Sequence, residues 1–253
     1  MDVLDRFRLD GKVALVTGAS SGLGVAIAQA CAQAGADIVL AARRAEKLKA
    51  TAQLVTDAGR SALIVPTDVS DPQQVQNMVD AAMAHFGHID ILVNNAGINS
   101  VAPATRETPE KFRAVVDTNL NGTFWAAQAC ARVMRPGSAI VNVASTSAFT
   151  TALQPQAAYS ASKAAVVGLT RELASQWGQR KGIRVNALAP GAFRTEMTEA
   201  DLSEHGDLML SRMVLNRFGE PEEFAATVVW LVSDAAGYVV GQTIVVDGGF
   251  TIA

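Results

Sequence analysis

The stretch YSASK places a phenol and an amine four residues apart, at Tyr159 and Lys163. Small residues around the pair favour a helix, on which positions i and i+4 share a face with Cβ atoms roughly 5–6 Å apart. A tyrosine with its ordinary pKa of about 10 is a poor proton shuttle at neutral pH. An ammonium about 4 Å away, at an effective dielectric constant of about 20, would favour the phenolate by about 4 kcal/mol. Unless the pair is a chance arrangement on a solvated helix, it predicts a tyrosine with a lowered pKa that acts as a general acid and base.

The composition argues against several other functions. The 253 residues are 49% hydrophobic and carry a net charge of −3, so a large core can form and no basic excess attracts nucleic acid or an anionic membrane. The longest apolar runs are far shorter than the roughly 18 residues of a membrane span. The first twelve residues lack the apolar core of a signal peptide. We expect a cytoplasmic protein that binds neither nucleic acid nor membranes.

The spacing of cysteine and histidine favours neither a disulfide framework nor a metal centre. Cys31 and Cys130 lie far apart in alanine-rich stretches, where small buried thiols are expected. His85, His88 and His205 have no cysteine or carboxylate neighbours at the spacing of a zinc site. The sequence therefore predicts a reaction without a metal ion.

Seven short apolar runs alternate with helical segments along the chain. The runs are β-branched and nearly continuous, a pattern typical of strands that are covered on both faces. Asp71-Pro72 and Glu220-Pro221 predict helix starts, and Gly35 and Gly87 predict helix ends. Because this alternation implies βαβ crossovers and no linker divides the chain, we predict one α/β domain with a parallel sheet over residues 1–253. The runs are KVALVTG, DIVLAA, ALIVPTD, DILVNNAG, AIVNVAS, IRVNALAPG and TIVVDGG.

Polar residues at five strand ends predict one binding pocket, because ligands of open parallel sheets lie beyond the carboxyl ends of the strands. After the first strand, TGASSGLG places glycines 18, 22 and 24 directly before a helix. Glycines let backbone N–H groups approach a phosphate, and a helix N-terminus favours negative charge. An ordinary glycine-rich turn is the alternative interpretation. The five strand-end sets are Thr17-Gly18, Asp68, Asn94-Asn95-Ala96-Gly97, Ser145 and Pro190-Gly191.

From about Lys12 to Gly249 the sequence resembles the short-chain dehydrogenase/reductase family, in its compact branch of about this length. The resemblance implies a Rossmann-like, doubly wound sheet of seven parallel strands, a nicotinamide cofactor, and hydride transfer to or from a carbonyl carbon. It argues against enoyl reduction, because the related enoyl reductases space the tyrosine and lysine more widely. The motifs are TGASSGLG, DVSD, NNAG, DTNLNGTF, IVNVAS, YSASK, RVNALAPG, EEFAATVVWLVS and GQTIVVDGG.

The resemblance also assigns residues to the cofactor. Around the diphosphate and its ribose it places Gly18, Ser20, Ser21, Gly22, Leu23 and Gly24. Asp68 and Val69 would contact the adenine, while Asn95, Ala96 and Gly97 line the site. Pro190, Gly191 and Thr195 would hold the nicotinamide carboxamide, and Tyr159 and Lys163 lie beside its ribose.

Four candidate catalytic residues follow from the same motifs: Asn119, Ser145, Tyr159 and Lys163. In this pattern the serine stabilises the substrate oxygen, and the asparagine holds a water that connects the lysine to solvent. The family usually places the serine thirteen residues before the tyrosine, a count that fits Thr146. The strand-end motif IVNVAS points instead to Ser145, and Ser147 is a further candidate.

The end of the second strand predicts NADP. Family members that prefer NAD usually carry an acidic residue there for the ribose hydroxyls, whereas this chain has Ala42 followed by Arg43. A guanidinium can meet the 2′-phosphate of NADP with paired charge-assisted hydrogen bonds. Arg44 is expected to begin a solvated helix. Many NADP-dependent relatives add a basic residue in the phosphate loop, where this chain has Ser21.

The sequence leaves two substrate classes open and predicts an assembly of identical subunits. Residues 193–219 occupy the position of the family's substrate lid, and their mix of apolar and acidic residues suggests an amphipathic cover or merely solvated helical turns. The substrate is either a free ketone, sugar or polyol, or a 3-oxoacyl thioester on an acyl carrier, for which Arg135 and Arg180-Lys181 are weak hints. A non-catalytic nucleotide sensor is the rival class. The smooth surface of the helix that carries Tyr159 predicts a homo-oligomer, and the resemblance, in which this helix pairs across two-fold axes, implies a homotetramer.

Overall fold

The computed structural model describes residues 2–151, 153–195 and 206–253. Each of the seven apolar runs forms a strand of one sheet. The strands are β1 (Val13–Thr17), β2 (Asp37–Ala42), β3 (Ala62–Pro66), β4 (Ile91–Asn94), β5 (Ala139–Val143), β6 (Arg184–Pro190) and β7 (Thr243–Val246). They are ordered β3-β2-β1-β4-β5-β6-β7, and every neighbouring pair is parallel. This confirms the predicted single domain with a seven-stranded parallel sheet.

Helices cover both faces of the sheet, as expected of right-handed crossovers between parallel strands. The helices are α1 (Leu23–Gln33), α2 (Ala45–Asp57), α3 (Pro72–Phe86), α4 (Pro109–Val116), α5 (Gly122–Val133), α6 (Ala157–Lys181) and α7 (Pro221–Val232). Phe224 and Leu231 of α7 pack with α1 on one face, and Met78 of α3 packs with α5 on the other. The sheet is therefore doubly wound, as predicted.

Local sequence explains where α3 begins and ends. The Asp71 carboxylate accepts a 2.8 Å hydrogen bond from the backbone N–H of Gln73, and Pro72 follows as the first helical residue. Gly87 ends the helix with a φ of 78°, a left-handed conformation that glycine adopts without a Cβ clash. Both boundaries were predicted from these residues.

The chain changes direction in the sheet between β1 and β4, because the crossovers before and after this point run to opposite edges. Such a switch point leaves a crevice outside the carboxyl ends of the two strands. Residues from four of the five predicted strand-end sets line this crevice, and Ser145, from the fifth, contacts Tyr159 in its wall.

The predicted lid lies partly outside the described residues, since 196–205 are not among them. Its two flanks are joined. Phe193 pairs with Gly219 in an isolated parallel bridge, and the Arg194 guanidinium lies 5.3 Å from the centre of the Phe218 ring. The acidic positions 196, 199, 201 and 204 also lie outside the described residues.

Both thiols are buried in the core. Cys31 packs on one side of the sheet and Cys130 on the other, each with no exposed surface. Burial raises the pKa of each thiol to about 12. Both thiols are free, and their environment matches the predicted role of small hydrophobic side chains.

Candidate active site

A cavity of about 440 Å³ opens at the switch point, a volume within the usual range for a ligand site. Of the residues predicted to contact the cofactor, all but Gly24 line it. Its walls are Gly18, Ser20, Ser21, Gly22, Leu23, Ala42, Arg43, Arg44, Thr67, Asp68, Val69, Asn95, Ala96, Gly97, Ile98, Thr118, Val143, Ala144, Tyr159, Lys163, Pro190, Gly191, Phe193 and Thr195.

The glycine-rich loop between β1 and α1 has the form of a phosphate cradle. Gly18 and Gly22 have φ values of 68° and 56°, a backbone conformation that residues with a Cβ rarely adopt. A Cβ on Gly18 would lie only 2.8 Å from the Cα of Ala96. The loop leads directly into the N-terminus of α1 at Leu23, where unpaired backbone N–H groups favour an anion.

Gly24 has a packing role in the structure. It is buried in the first turn of α1, and a Cβ there would clash with the carbonyl oxygen of Gly18 and lie 2.7 Å from the Nδ2 atom of Asn95. The missing side chain therefore lets the helix sit close against the loop. Gly24 does not line the cavity, so the structure shows this indirect contribution, and its predicted place around the diphosphate stays a prediction.

Hydrogen bonds between the ends of β1 and β4 hold the loop in place. Asn95 donates through Nδ2 to the carbonyl oxygens of Thr17 and Gly18, at 3.0 and 3.3 Å. The Thr17 hydroxyl accepts from the backbone N–H groups of Asn95 and Ala96. The NNAG motif thus braces the cavity wall that it also forms.

The remaining predicted cofactor residues lie on opposite sides of the cavity. The Asp68 carboxylate is oriented by the backbone N–H and the hydroxyl of Ser70, at 3.0 and 2.7 Å. Gly191 donates from its backbone N–H to Val246, and a Cβ on it would lie 2.7 Å from the Cβ of Asp247. Thr195 approaches the phosphate loop at Gly22.

Two arginines form the rim beside the phosphate loop. Arg43 and Arg44 are both exposed and both line the cavity. The Arg44 guanidinium donates to the hydroxyls of Ser21 and Ser20, at 3.0 and 3.3 Å. The expectation that Arg44 merely begins a solvated helix is therefore wrong, because its side chain reaches across to the loop. The Arg44 side chain therefore brings a positive charge to the phosphate loop beside Ser21, the position at which many NADP-dependent relatives carry a basic residue.

Ser145 is the hydroxyl that contacts Tyr159. Its side chain is buried, hydrogen-bonds the tyrosine, and accepts a 3.1 Å bond from the backbone N–H of Ser147. The Ser147 hydroxyl is instead bonded to Gln156 at 3.0 Å. Among the three hydroxyls left open by the sequence, the contact to the phenol thus favours Ser145 over Thr146 and Ser147.

The electrostatics of the Tyr159–Lys163 pair differ from the prediction. Burial raises the pKa of Tyr159 above its usual value, and the Ser145 hydrogen bond opposes this only in part. Burial also lowers the pKa of Lys163 to about 8. The Lys163 ammonium donates to the carbonyl oxygen of Val143 at 2.7 Å and lies 5.6 Å from the centre of the Tyr159 ring. The predicted lowering of the Tyr159 pKa is wrong for this structure, because the argument from spacing omitted desolvation.

Asn119 lies in a π-helical turn, Asp117–Asn121, between α4 and α5. Such turns often occur at functional sites. The side chain is fully buried, accepts from the backbone N–H of Ile98 at 2.9 Å, and donates to the hydroxyl of Ser162 at 3.0 Å. A Cβ on Gly97 would lie 3.4 Å from the Oδ1 atom of Asn119 and 3.6 Å from the Nζ atom of Lys163. Asn119 is thus near the lysine, behind the cavity wall.

The part of the chain that the structure describes holds neither a metal-binding cluster nor a membrane-spanning helix. Across residues 2–151, 153–195 and 206–253, no group of three His, Cys, Asp or Glu side chains is placed to hold a metal ion. Within the same ranges, no helix combines the length and apolar character needed to cross a membrane.

The chain is similar to known proteins over nearly its whole length. A family model described as enoyl-(acyl carrier protein) reductase matches residues 18–251. D-threitol dehydrogenase from Mycolicibacterium smegmatis is 46% identical over 250 residues, which are 97% of this chain and 95% of that protein. Among solved structures, a short-chain type dehydrogenase/reductase from Mycobacterium marinum has a TM-score of 0.95 at 40% identity, with full coverage of both chains.

A second solved structure, a short-chain dehydrogenase from Burkholderia cenocepacia J2315 in complex with NADP, has a TM-score of 0.92 at 37% identity. The similarity covers 96% of this chain and 99% of that one. Together with the parallel sheet and the cavity at its switch point, these matches show that the chain belongs to the short-chain dehydrogenase/reductase family of nicotinamide-dependent oxidoreductases.

Proposed function

We propose that this protein is an NADP-dependent oxidoreductase that interconverts a ketone and a secondary alcohol, with Tyr159 as the general acid and base. One observation carries the proposal. Tyr159, bonded to Ser145 and beside Lys163, lines the same cavity whose other rim carries Arg43 and Arg44. A single ligand that spans this cavity would place a phosphate at one end and a reacting group at the other.

The cavity residues fit a dinucleotide. The glycine cradle and the start of α1 suit a diphosphate, and Asp68 and Val69, which line the cavity, would contact the adenine. A 2′-phosphate would lie near Arg43 and Arg44, which can give it charge-assisted hydrogen bonds. Many NADP-dependent relatives bind the phosphate with a second basic residue at the position of Ser21. In this chain Arg44, whose guanidinium lies against Ser21, would supply that second positive charge. The NADP complex of the Burkholderia relative supports the same cofactor.

The chain's own groups carry the proton chemistry. When bound, the nicotinamide would supply the hydride to the carbonyl carbon in reduction and accept it in oxidation. In reduction, Tyr159 would donate its proton to the oxygen that gains charge, and Ser145 would donate a hydrogen bond to that oxygen. In oxidation, the phenolate would take the proton of the alcohol. Lys163 would hold the ribose, and Asn119 would connect Lys163 to solvent.

The pKa directions support a tyrosine that is protonated at neutral pH. A raised pKa keeps the Tyr159 proton in place for reduction, whereas oxidation requires that the proton first be lost. Lys163, with a pKa near 8, is partly deprotonated in weakly alkaline solution. The reaction in the oxidative direction should therefore gain more from alkaline pH.

Reduction of a 3-oxoacyl thioester on an acyl carrier is the second candidate function, and it uses the same ketone chemistry. The description of the matched family model favours it, while the name of the threitol-oxidising relative favours a free alcohol. Reduction of a C=C bond is not proposed, because Tyr159 and Lys163 are four residues apart. A non-catalytic sensor is not favoured, because the groups needed for catalysis are present together. Tyr159 and Lys163 both line the cavity, and Ser145 contacts Tyr159.

The test is turnover by Tyr159→Phe. We expect the variant to bind NADPH normally and to lose NADPH oxidation with a panel of ketones, since only the phenol oxygen is removed. Near-wild-type turnover would overturn the mechanism. Adding acetoacetyl thioester to the panel separates the two substrate classes. If free ketones are reduced and the thioester is not, the enzyme is not an acyl-carrier reductase.

The assembly and location remain predictions. A homotetramer is supported by α6, whose outward positions include the exposed small residues Ala161 and Ala164. Exposed apolar side chains near the C-terminus, such as Ile252 at 84% exposure, also suit a subunit contact. The cytoplasmic location rests on the sequence argument alone.

A further inference from the structure

A polar network extends outward from the proposed reaction centre. Ser147 donates its backbone N–H to the Ser145 hydroxyl, and its own hydroxyl accepts a 3.0 Å bond from the amide of Gln156. The side-chain oxygen of Gln156, Oε1, accepts a 2.7 Å hydrogen bond from the side-chain amide of Asn99. We call Ser147, Gln156 and Asn99 the amide network. Its innermost member is one hydrogen bond away from the serine that contacts Tyr159.

Three separate segments build this network outward from Ser145, which contacts Tyr159 in the cavity wall. Asn99 follows β4, Ser147 follows β5, and Gln156 directly precedes the first residue of α6. A parallel bridge joins Ala102 to Gln156, and the backbone N–H of Ala102 donates to the carbonyl oxygen of Pro155 at 3.0 Å. Because the backbone fixes the segments against one another, the position of the Gln156 amide is set before any substrate arrives.

We propose that the amide network selects substrates that carry hydroxyl groups on the carbons next to the reacting carbon. Each of its side chains is uncharged and offers both donors and acceptors. Ser147 and Gln156 are partly buried, and Asn99 is exposed at the outer end, so a substrate covering them would remove their water. A saturated acyl or alkyl chain could not replace those hydrogen bonds, whereas vicinal hydroxyls could. This assignment rests on the proposed ketone/alcohol chemistry and names its substrate class.

The test compares alcohols of equal carbon number and increasing hydroxyl number: butan-2-ol, butane-2,3-diol, butane-1,2,3-triol and butane-1,2,3,4-tetrol. With NADP as oxidant, we expect kcat/KM to rise by about 100-fold or more from the first compound to the last. The size follows from the discrimination that hydrogen-bonding sites achieve against analogues lacking the group. A flat or falling series in an active enzyme would overturn the inference.

Variants locate the effect. Gln156→Leu should lower kcat/KM for the tetrol by about tenfold or more and leave butan-2-ol within about twofold. Ser147→Ala should also lower kcat/KM for the tetrol more than for butan-2-ol. This second variant tests the network if Gln156→Leu does not fold. The matched control is Gln53→Leu, because Gln53 is an exposed residue of α2 whose side chain donates to Asp57, and this variant should change kcat/KM for neither substrate.

The outcomes separate this inference from the proposed function. Equal losses on butan-2-ol and the tetrol would overturn the network's role while leaving Tyr159-dependent turnover intact. Acetoacetyl thioester reduction that exceeds every polyol or ketose would also overturn it, and the ketone chemistry would stand. Turnover that does not depend on Tyr159 would instead remove the proposed function itself.

Discussion

The Nζ atom of Lys163 lies 5.6 Å from the centre of the Tyr159 ring and gives its 2.7 Å hydrogen bond to the carbonyl oxygen of Val143. The lysine is thus held beside the aromatic ring by the end of β5. Lys163 is buried and Tyr159 is partly buried in the cavity wall, and this loss of solvent shifts each pKa toward the neutral form: up for the phenol and down for the amine.

Tyr159 should titrate above pH 10 in the enzyme without nucleotide. The chain has only two tyrosines, so Tyr238→Phe, a change at a fully exposed position, leaves Tyr159 as the single phenol. The ultraviolet absorbance of the phenolate then reports its titration directly. Adding Ser145→Ala should raise the midpoint further, because the hydrogen bond from Ser145 lowers the pKa. A midpoint below 10 would contradict the dominant effect of burial.

Lys163 should make the protein more stable as the pH rises from about 8 to 10.5. Over this window the folded state has lost a proton that the unfolded chain still holds, because the lysine pKa is about 8 when folded and 10.5 when exposed. The free energy of unfolding should rise by about 3 kcal/mol across the window. Urea titrations should show this rise in wild type and in Lys111→Met, an exposed control. They should not show it in Lys163→Met.

Arg43 and Arg44 should both contribute to NADP selectivity. Arg43→Ala and Arg44→Ala should each weaken NADPH binding by about tenfold or more, since each removes a charged partner of the 2′-phosphate, with little change for NADH. Arg132→Ala is the control, because Arg132 is an exposed residue of α5 bonded to Gln128. Fluorescence titration with both nucleotides measures the effects. A wild-type kcat/KM with NADH that equals or exceeds that with NADPH would make the NADP assignment wrong.

Gly24→Ala should destabilise the protein and weaken nucleotide binding together. The new methyl group would press on the backbone of Gly18 and on Asn95, which cannot move without shifting the phosphate loop. Overpacking of this kind costs about 1–3 kcal/mol. Gly178→Ala is the control, because its Cβ would make only an ordinary 3.9 Å contact in α6. If Gly24→Ala has the same denaturation midpoint and nucleotide Kd as wild type, the close packing of α1 on the loop is not required.

Ala164→Glu should break the predicted tetramer without unfolding the subunit. Ala164 is exposed on α6 in the single chain, so a charge there is harmless to the fold but costly in a dry subunit contact. Light scattering should show a smaller species for this variant and a tetramer for wild type and for Ala50→Glu, an exposed control on α2. A wild-type particle of 26.5 kDa at micromolar concentration would rule the tetramer out.

The sequence predicted the framework well because its signals are local. Each strand is a short apolar run, Asp71 and Gly87 mark the ends of α3 by their own backbone chemistry, and parallel strands bring their carboxyl ends to one edge. Residues far apart in sequence, such as Gly18 and Asn95, could therefore be placed together. Their arrangement in one cavity needed no knowledge of side-chain packing.

What sequence reasoning missed depends on contacts between distant segments. Burial of Tyr159 is a tertiary property, so the direction of its pKa shift could not follow from the spacing to Lys163. Arg44 lies 23 residues from Ser21, and only the fold shows that its side chain crosses to the phosphate loop. Choosing Ser145 likewise required the contact with Tyr159, because the count of residues favoured Thr146.

The two enclosed thiols make the protein a convenient host for a single reporter. With a pKa of about 12, Cys31 and Cys130 hold almost no thiolate at neutral pH, and only the thiolate reacts with alkylating dyes. A cysteine introduced at an exposed position such as Val214, which is 64% exposed, would be labelled selectively in the otherwise unaltered sequence. Fluorescence from that site could follow substrate arrival in real time without removal of either native sulfur.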